Sequence, residues 1–188
     1  MMRAMRKALV CTLAALALVV GGCAQNREGL CPCPEGKQLD QELMLVLSSA
    51  RALHHQADIH LQQGEVDRAI EAVRQILASK LDRKYPEAEE VHLDATARLA
   101  KLLLGRGEER EALALVDGTI ASGPRESFYL SNLHSVRGEI LEHRGKRLDT
   151  AGDKGGARQS ARDAIAAFEQ SIAINKRLQQ QLVPGGKR

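Results

Sequence analysis

Two groups of side chains in this 188-residue chain have the atoms for catalysis or metal binding. His54, His55 and His60 stand near Asp58, and His55 and Asp58, three apart, would share one face of a helix. Two side chains fall short of the three or four ligands that a zinc site needs. Ser131 and Ser135 flank His134, yet no Gly-x-Ser-x-Gly turn exists to raise a serine nucleophile. Neither Gly-x-Gly-x-x-Gly nor Gly-x-x-x-x-Gly-Lys-Ser/Thr occurs to cradle a phosphate. The glycines Gly155-Gly156 and Gly185-Gly186 read as breaks, and Lys187-Arg188 as a short end. The reading is therefore not an enzyme, with no catalytic residue and no metal site assigned.

Cysteine chemistry begins at the N-terminus, where Arg3, Arg6 and Lys7 precede an apolar run from Ala8 to Val20. A basic start, an apolar stretch and small residues before a cut make an export signal. The run is short of the about 20 residues that span a bilayer. Val20-Gly21-Gly22-Cys23 resembles the lipobox of bacterial lipoproteins, in which a diacylglycerol is joined to the cysteine thiol and the chain is cut just before it. The resemblance covers Met1 to Cys23; the alternative is an ordinary secretory signal that contains a cysteine. It implies a covalent acyl lipid on Cys23, no other cofactor, and attachment to a membrane. Ala24 does not resemble the Asp that retains such proteins at the inner membrane, so the expected place is the outer membrane, facing the periplasm.

Removal of residues 1–22 changes the charge reading. The 27 Lys and Arg against 24 Asp and Glu give +3, which is the contribution of Arg3, Arg6 and Lys7. The mature chain is near neutral. Only Tyr85, Phe128, Tyr129 and Phe168 could stack on bases, and no basic stripe accompanies them, so nucleic acid is not an expected partner. Cys11 leaves with the signal and Cys23 carries lipid, so Cys31 and Cys33 are the thiols left in an oxidising compartment. A disulfide between them closes a small strained ring, which leaves open a local bridge, a partner thiol, or a redox or metal role. They sit in Cys31-Pro32-Cys33-Pro34, inside a polar stretch with Gly29 and Gly36, and residues 23–39 read as anchor and tether.

From Asp40 the pattern is helical. Leu43, Val46, Leu47, Ala50, Leu53, Ala57 and Leu61 recur at steps of three and four, with Asp40 as N-cap and Gly64 as stop. A second helix is predicted over Val66 to Ser79, a third from Pro86 to Leu104 and a fourth from Glu108 to Ser122. A slide of 43 residues superposes Ala57 on Ala100, Gly64-Glu65 on Gly107-Glu108, Ala69 on Ala112 and Val73 on Val116. A repeat at such a period predicts a solenoid of hairpins. In the third unit Gly138, Leu141 and Gly145 match the first helix, and Ala164 and Phe168 match the second after an insertion of about 14 residues. Lys146 to Gly156 then reads as an extended loop, and about Gly156 to Leu182 as a long capping helix with Phe168, Ile172, Leu178 and Leu182 inward. The helical repeat domain is expected over 40–183 and a disordered tail over 184–188.

The spacing of a small residue, Gly seven later and Ala five beyond resembles the tetratricopeptide repeat family, over roughly Ala50 to Lys176. Leu53, Thr96 and His134 stand at that family's usual Trp position, and His60, Leu103 and Leu141 at its Tyr position, so the repeats are divergent. The resemblance implies an all-α fold, a short right-handed α-solenoid of about three hairpins; the alternative is a plain six-helix bundle. It also implies a concave face made by the first helix of each hairpin. The family's groove spacing selects Arg51, His54, Asp58 and Gln62, then Lys101, then Asn132, Ser135, Glu139 and His143. The basic and Asn clamp with which some members hold a terminal carboxylate is not reproduced.

These readings converge on a lipid-anchored adaptor or scaffold of the bacterial envelope that binds a protein partner and positions it at the outer membrane. In architecture it resembles pilotin-like factors that help secretin rings assemble. A second reading is a self-associating structural lipoprotein whose helix faces, including Leu43, Met44 and Leu47, pair between copies. A third is a redox or metal factor using Cys31 and Cys33.

Overall fold

The computed structural model describes residues 40–79 and 85–182. The segments expected to be signal, tether and tail, with Cys23, Cys31 and Cys33, lie outside the described residues. The described chain is all-α, with helices α1 (Gln41–Gln62), α2 (Val66–Ala78), α3 (Pro86–Gly105), α4 (Glu109–Ala121), α5 (Phe128–Thr150) and α6 (Lys154–Leu182).

Local chemistry sets the ends. The Asp40 carboxylate accepts from the N–H groups of Glu42 (3.0 Å) and Leu43 (3.4 Å), satisfying two orphan donors of α1. The Tyr85 hydroxyl, just ahead of α3, donates to the same carboxylate and ties the two helix starts together. Pro86 takes the first turn of α3, where its missing N–H costs nothing. The Ser127 hydroxyl accepts from Leu130 N–H at 3.1 Å to open α5.

Each hairpin closes through the same three-residue turn with glycine in the middle. Gly64, Gly107 and Gly152 have φ of +76°, +87° and +84°, a left-handed conformation that side chains resist. After Gly64, Glu65 N–H bonds back to His60 C=O (2.8 Å) and Gly64 N–H to Leu61 C=O (3.1 Å). Glu108 and Gly107 reach Leu103 and Leu104 in the same way, and Asp153 and Gly152 reach Leu148 and Asp149. This paired closure satisfies two terminal carbonyls of each helix.

The third turn corrects the expected register. Gly152, not Gly145, is the counterpart of Gly64 and Gly107, and Gly145, Gly152 and Ala157 then keep the small-Gly-Ala spacing with no insertion. Lys146 to Gly156 is not an extended loop: α5 runs to Thr150, the turn is Ala151 to Asp153, and Gly155 and Gly156 lie in the first turn of α6. The Asp153 carboxylate accepts from Gly156 N–H at 2.8 Å, packed so closely that a Cβ at Gly156 would collide with it.

The hairpins stack in line. Each helix packs on the next, α1 packs on α3 and α3 on α5, while among the described residues α1 and α2 do not pack on α5 or α6. A closed six-helix bundle would bring first and last hairpins together; an open stack does not. Ala57, Ala69, Ala100 and Ala112 are fully buried, so paired helices approach closely, and Ile70, Ile76, Leu93, Leu103, Leu133 and Ile140 fill the core.

The α5–α6 hairpin is held by small residues. Gly138 lies under Phe168, where a Cβ would come within 2.6 Å of the ring, and Gly145 faces Ala157 and Ser160. Ser131 donates to Ser171 C=O (3.1 Å), and the hydroxyls of Ser131 and Ser135 bond that of Ser171 at 2.9 and 2.8 Å. The buried face of α6 is Ser160, Ala164, Ala167, Ser171 and Ile174. Of the four residues expected inward, Phe168 and Leu178 are half-buried, but Ile172 is 52 % exposed and Leu182 79 % exposed. Their expected inward face is corrected by the small-residue face, which holds α6 against α5 and turns Ile172 outward.

Candidate functional site: a groove between the first two hairpins

A groove of about 690 Å³ opens between α1 and α3. The helical repeat of α1 places Met44, Leu47, Arg51, His54 and Asp58 along one wall. From α3 come Glu87, Glu90, Val91 and Asp94, and the start of α5 adds Tyr129. The floor is apolar and the rim charged, the mixture that small-molecule and peptide sites share. Glu87, Glu90 and Asp94 make the α3 edge acidic, whereas the α1 edge carries Arg51.

A chain of polar contacts fixes the spacing of the walls. His54 Nδ1 lies 3.2 Å from Arg98 Nη1, and Arg98 Nη2 donates to Asp58 Oδ1 at 2.5 Å. Arginine can only donate, so Nδ1 accepts and the imidazole proton sits on Nε2, which faces Asp94 Oδ2 at 3.5 Å. Burial pushes the His54 pKa down; Asp94 and Asp58 oppose it, and Arg98 and His55 add to it. The imidazole is accordingly neutral near pH 7.

The expected groove residues are not all brought together. Arg51, His54 and Asp58 line the groove, but His54 and Asp58 are also the link to α3. Gln62 is exposed at the end of α1, beyond the groove lining. Lys101 pairs with Glu139 at 3.2 Å and joins α3 to α5. Asn132 is half-buried. Ser135 faces Ser171 inside the last hairpin, and His143 faces Glu109 on α4.

Asp94 and Arg98, whose spacing of four is a helix-face signal, and the acidic edge at Glu87 and Glu90 are not among the residues that the repeat spacing selects. Nor is the carboxylate of Glu109, nearly buried at the start of α4. Arg147 donates to both of its oxygens, through Nη2 at 3.0 Å and Nε at 3.2 Å, and His143 Nδ1 approaches at 3.1 Å. The Arg147 hydrogen bonds hold the Glu109 pKa below the usual carboxylate range, with His143 adding to the effect. This cluster fastens α4 to α5.

Among the described residues no group of three or more His, Cys, Asp or Glu side chains is arranged to hold a metal ion. No described helix is long and apolar enough to cross a membrane. Compared with known protein families, with curated proteins and with solved structures, the chain gave no match.

Proposed function

We propose that this chain is a lipid-anchored adaptor of the bacterial envelope, tethered through Cys23 at the periplasmic face of the outer membrane. Its α1–α3 groove holds a segment of a protein partner. The observation that carries the reading is the groove itself, with Met44, Leu47, Val91 and Tyr129 beneath a charged rim. An apolar floor beneath rim charges suits an amphipathic helix or an extended peptide. The acidic α3 edge favours a segment with Lys or Arg on the side that faces Glu87, Glu90 and Asp94. Lipid supplies location, and two or three acyl chains hold where a single one binds only marginally.

Two arms test the two halves. Cys23→Ser is expected to abolish palmitate labelling and release the protein from membranes; persistence of both would remove the anchor from the account. A photo-crosslinking residue at Ser48, which lines the groove, is expected to capture an envelope protein in cells.

A further inference from the structure

Stacked hairpins cover one another, but among the described residues α6 packs on α5 alone, which leaves an outer face of it uncovered. On that face of α6, Ala161, Ile165, Phe168 and Ile172 recur at steps of four, three and four. Ala161 is exposed, Ile165 and Ile172 are each more than half exposed, and Phe168 rests half-buried on Gly138. An apolar row at this spacing is the seam by which two helices pair. Beside it a groove of about 530 Å³ runs between α5 and α6, lined by Gly145, Ala157 and Ala164, which leave room for side chains from outside.

The flanking charges say what the row fits. Arg162 and Glu169 are exposed, two turns apart along the same edge of the row. Arg162 is held by the neutral amide of Gln159 at 2.5 Å, so its charge is not cancelled there. In a parallel pairing with a second copy, the edge that carries Arg162 and Glu169 would face the other edge of the partner's row, where the small buried residues Ala164 and Ser171 offer neither charge a partner. In an antiparallel pairing about a two-fold axis near Ile165 and Phe168, each Arg162 meets the other copy's Glu169. We infer that two copies of this chain pair through the outer face of α6, antiparallel about that axis, with Arg162 of each against Glu169 of the other.

The apolar row ends at polar seam positions, Arg158 on one side and Asn175 on the other. From Ala161 to Ile172 it spans roughly 18 Å of helix, so the interface is at the small end and the dissociation constant is expected in the micromolar range. α1 and α6 do not pack on one another, so pairing leaves the α1–α3 groove open and the dimer presents two. Two sites on one body raise avidity for a repeated or oligomeric partner. The pairing is independent of what the groove binds.

The test is the mass of the full chain, in density-matched detergent, by sedimentation equilibrium up to about 100 µM. Monomer and dimer are expected in exchange. Ile165→Glu, at an exposed position, should weaken pairing about tenfold or more while helical circular dichroism is unchanged. Arg162→Glu and Glu169→Arg should each weaken it, the doubly exchanged chain should recover it, and an equal mixture of the two single variants should pair with each other. A chain that stays monomeric throughout overturns the proposal. So does a dimer that ignores Ile165→Glu, or one whose charge exchange does not recover pairing.

Discussion

The hydroxyl of Thr96 is fully buried in α3 and has no hydrogen-bond partner among the described residues. A buried hydroxyl without a partner costs its desolvation, so Thr96→Val, which keeps the shape, is expected to raise stability by roughly 1 kcal/mol. A denaturant midpoint that falls instead would place an unseen partner on that hydroxyl. His54 and His134 carry the opposite liability, because burial lowers both pKa values, with Arg137 adding to the effect at His134. A group whose pKa is depressed in the folded state contributes stability that is present above its unfolded pKa and lost as pH falls through the folded one. Stability should therefore begin to fall as pH drops below the ordinary imidazole value of about 6.5. It should fall further in the carboxylate range, where Glu109 loses its bonds to Arg147. Thermal unfolding against pH checks this, and His54→Gln should flatten the upper part of the fall.

At the scale of elements, the first four helices were legible because their punctuation is unambiguous: Asp40 caps, Gly64 and Gly107 stop, and Pro86 opens. The third hairpin is ambiguous in sequence for a physical reason. Gly138, Gly145 and Gly152 are spaced by seven, so either of the last two satisfies the small-then-Gly rule. Only the backbone separates them: Gly138 and Gly145 are helical and face α6, while Gly152 has a positive φ. A turn at Gly145 places the expected groove residues of α5 two turns too near its start, which is why Ser135 and His143 fall in other contacts. It follows that Gly152→Ala should cost about 1 kcal/mol from its left-handed backbone, with Gly152→Asn costing less. Gly155→Ala, in the first turn of α6, should gain up to about 1 kcal/mol of helix propensity. Equal effects at the two positions would contradict the assigned turn.

For the whole molecule, a chain with four Phe and Tyr and no Trp builds its core from aliphatic side chains and close helix approach at buried alanines. Exposed ion pairs such as Arg74 with Glu111 and Lys101 with Glu139 align neighbouring hairpins, each contributing about 0–1 kcal/mol. The candidate site was legible as a face, since Arg51, His54 and Asp58 do line it. It was not legible as a network, because Asp94 and Arg98 join it only when α3 is stacked on α1.

The central claim is that this groove, on an anchored stack, holds a protein partner. Its most direct measurement is photo-crosslinking in cells from Ser48 in three backgrounds: the unchanged chain, Met44→Glu in the exposed groove floor, and Ile165→Glu on the opposite hairpin. The account expects one envelope-protein adduct that is lost with Met44→Glu and kept with Ile165→Glu. No adduct from the unchanged chain, or one indifferent to Met44→Glu, would contradict it.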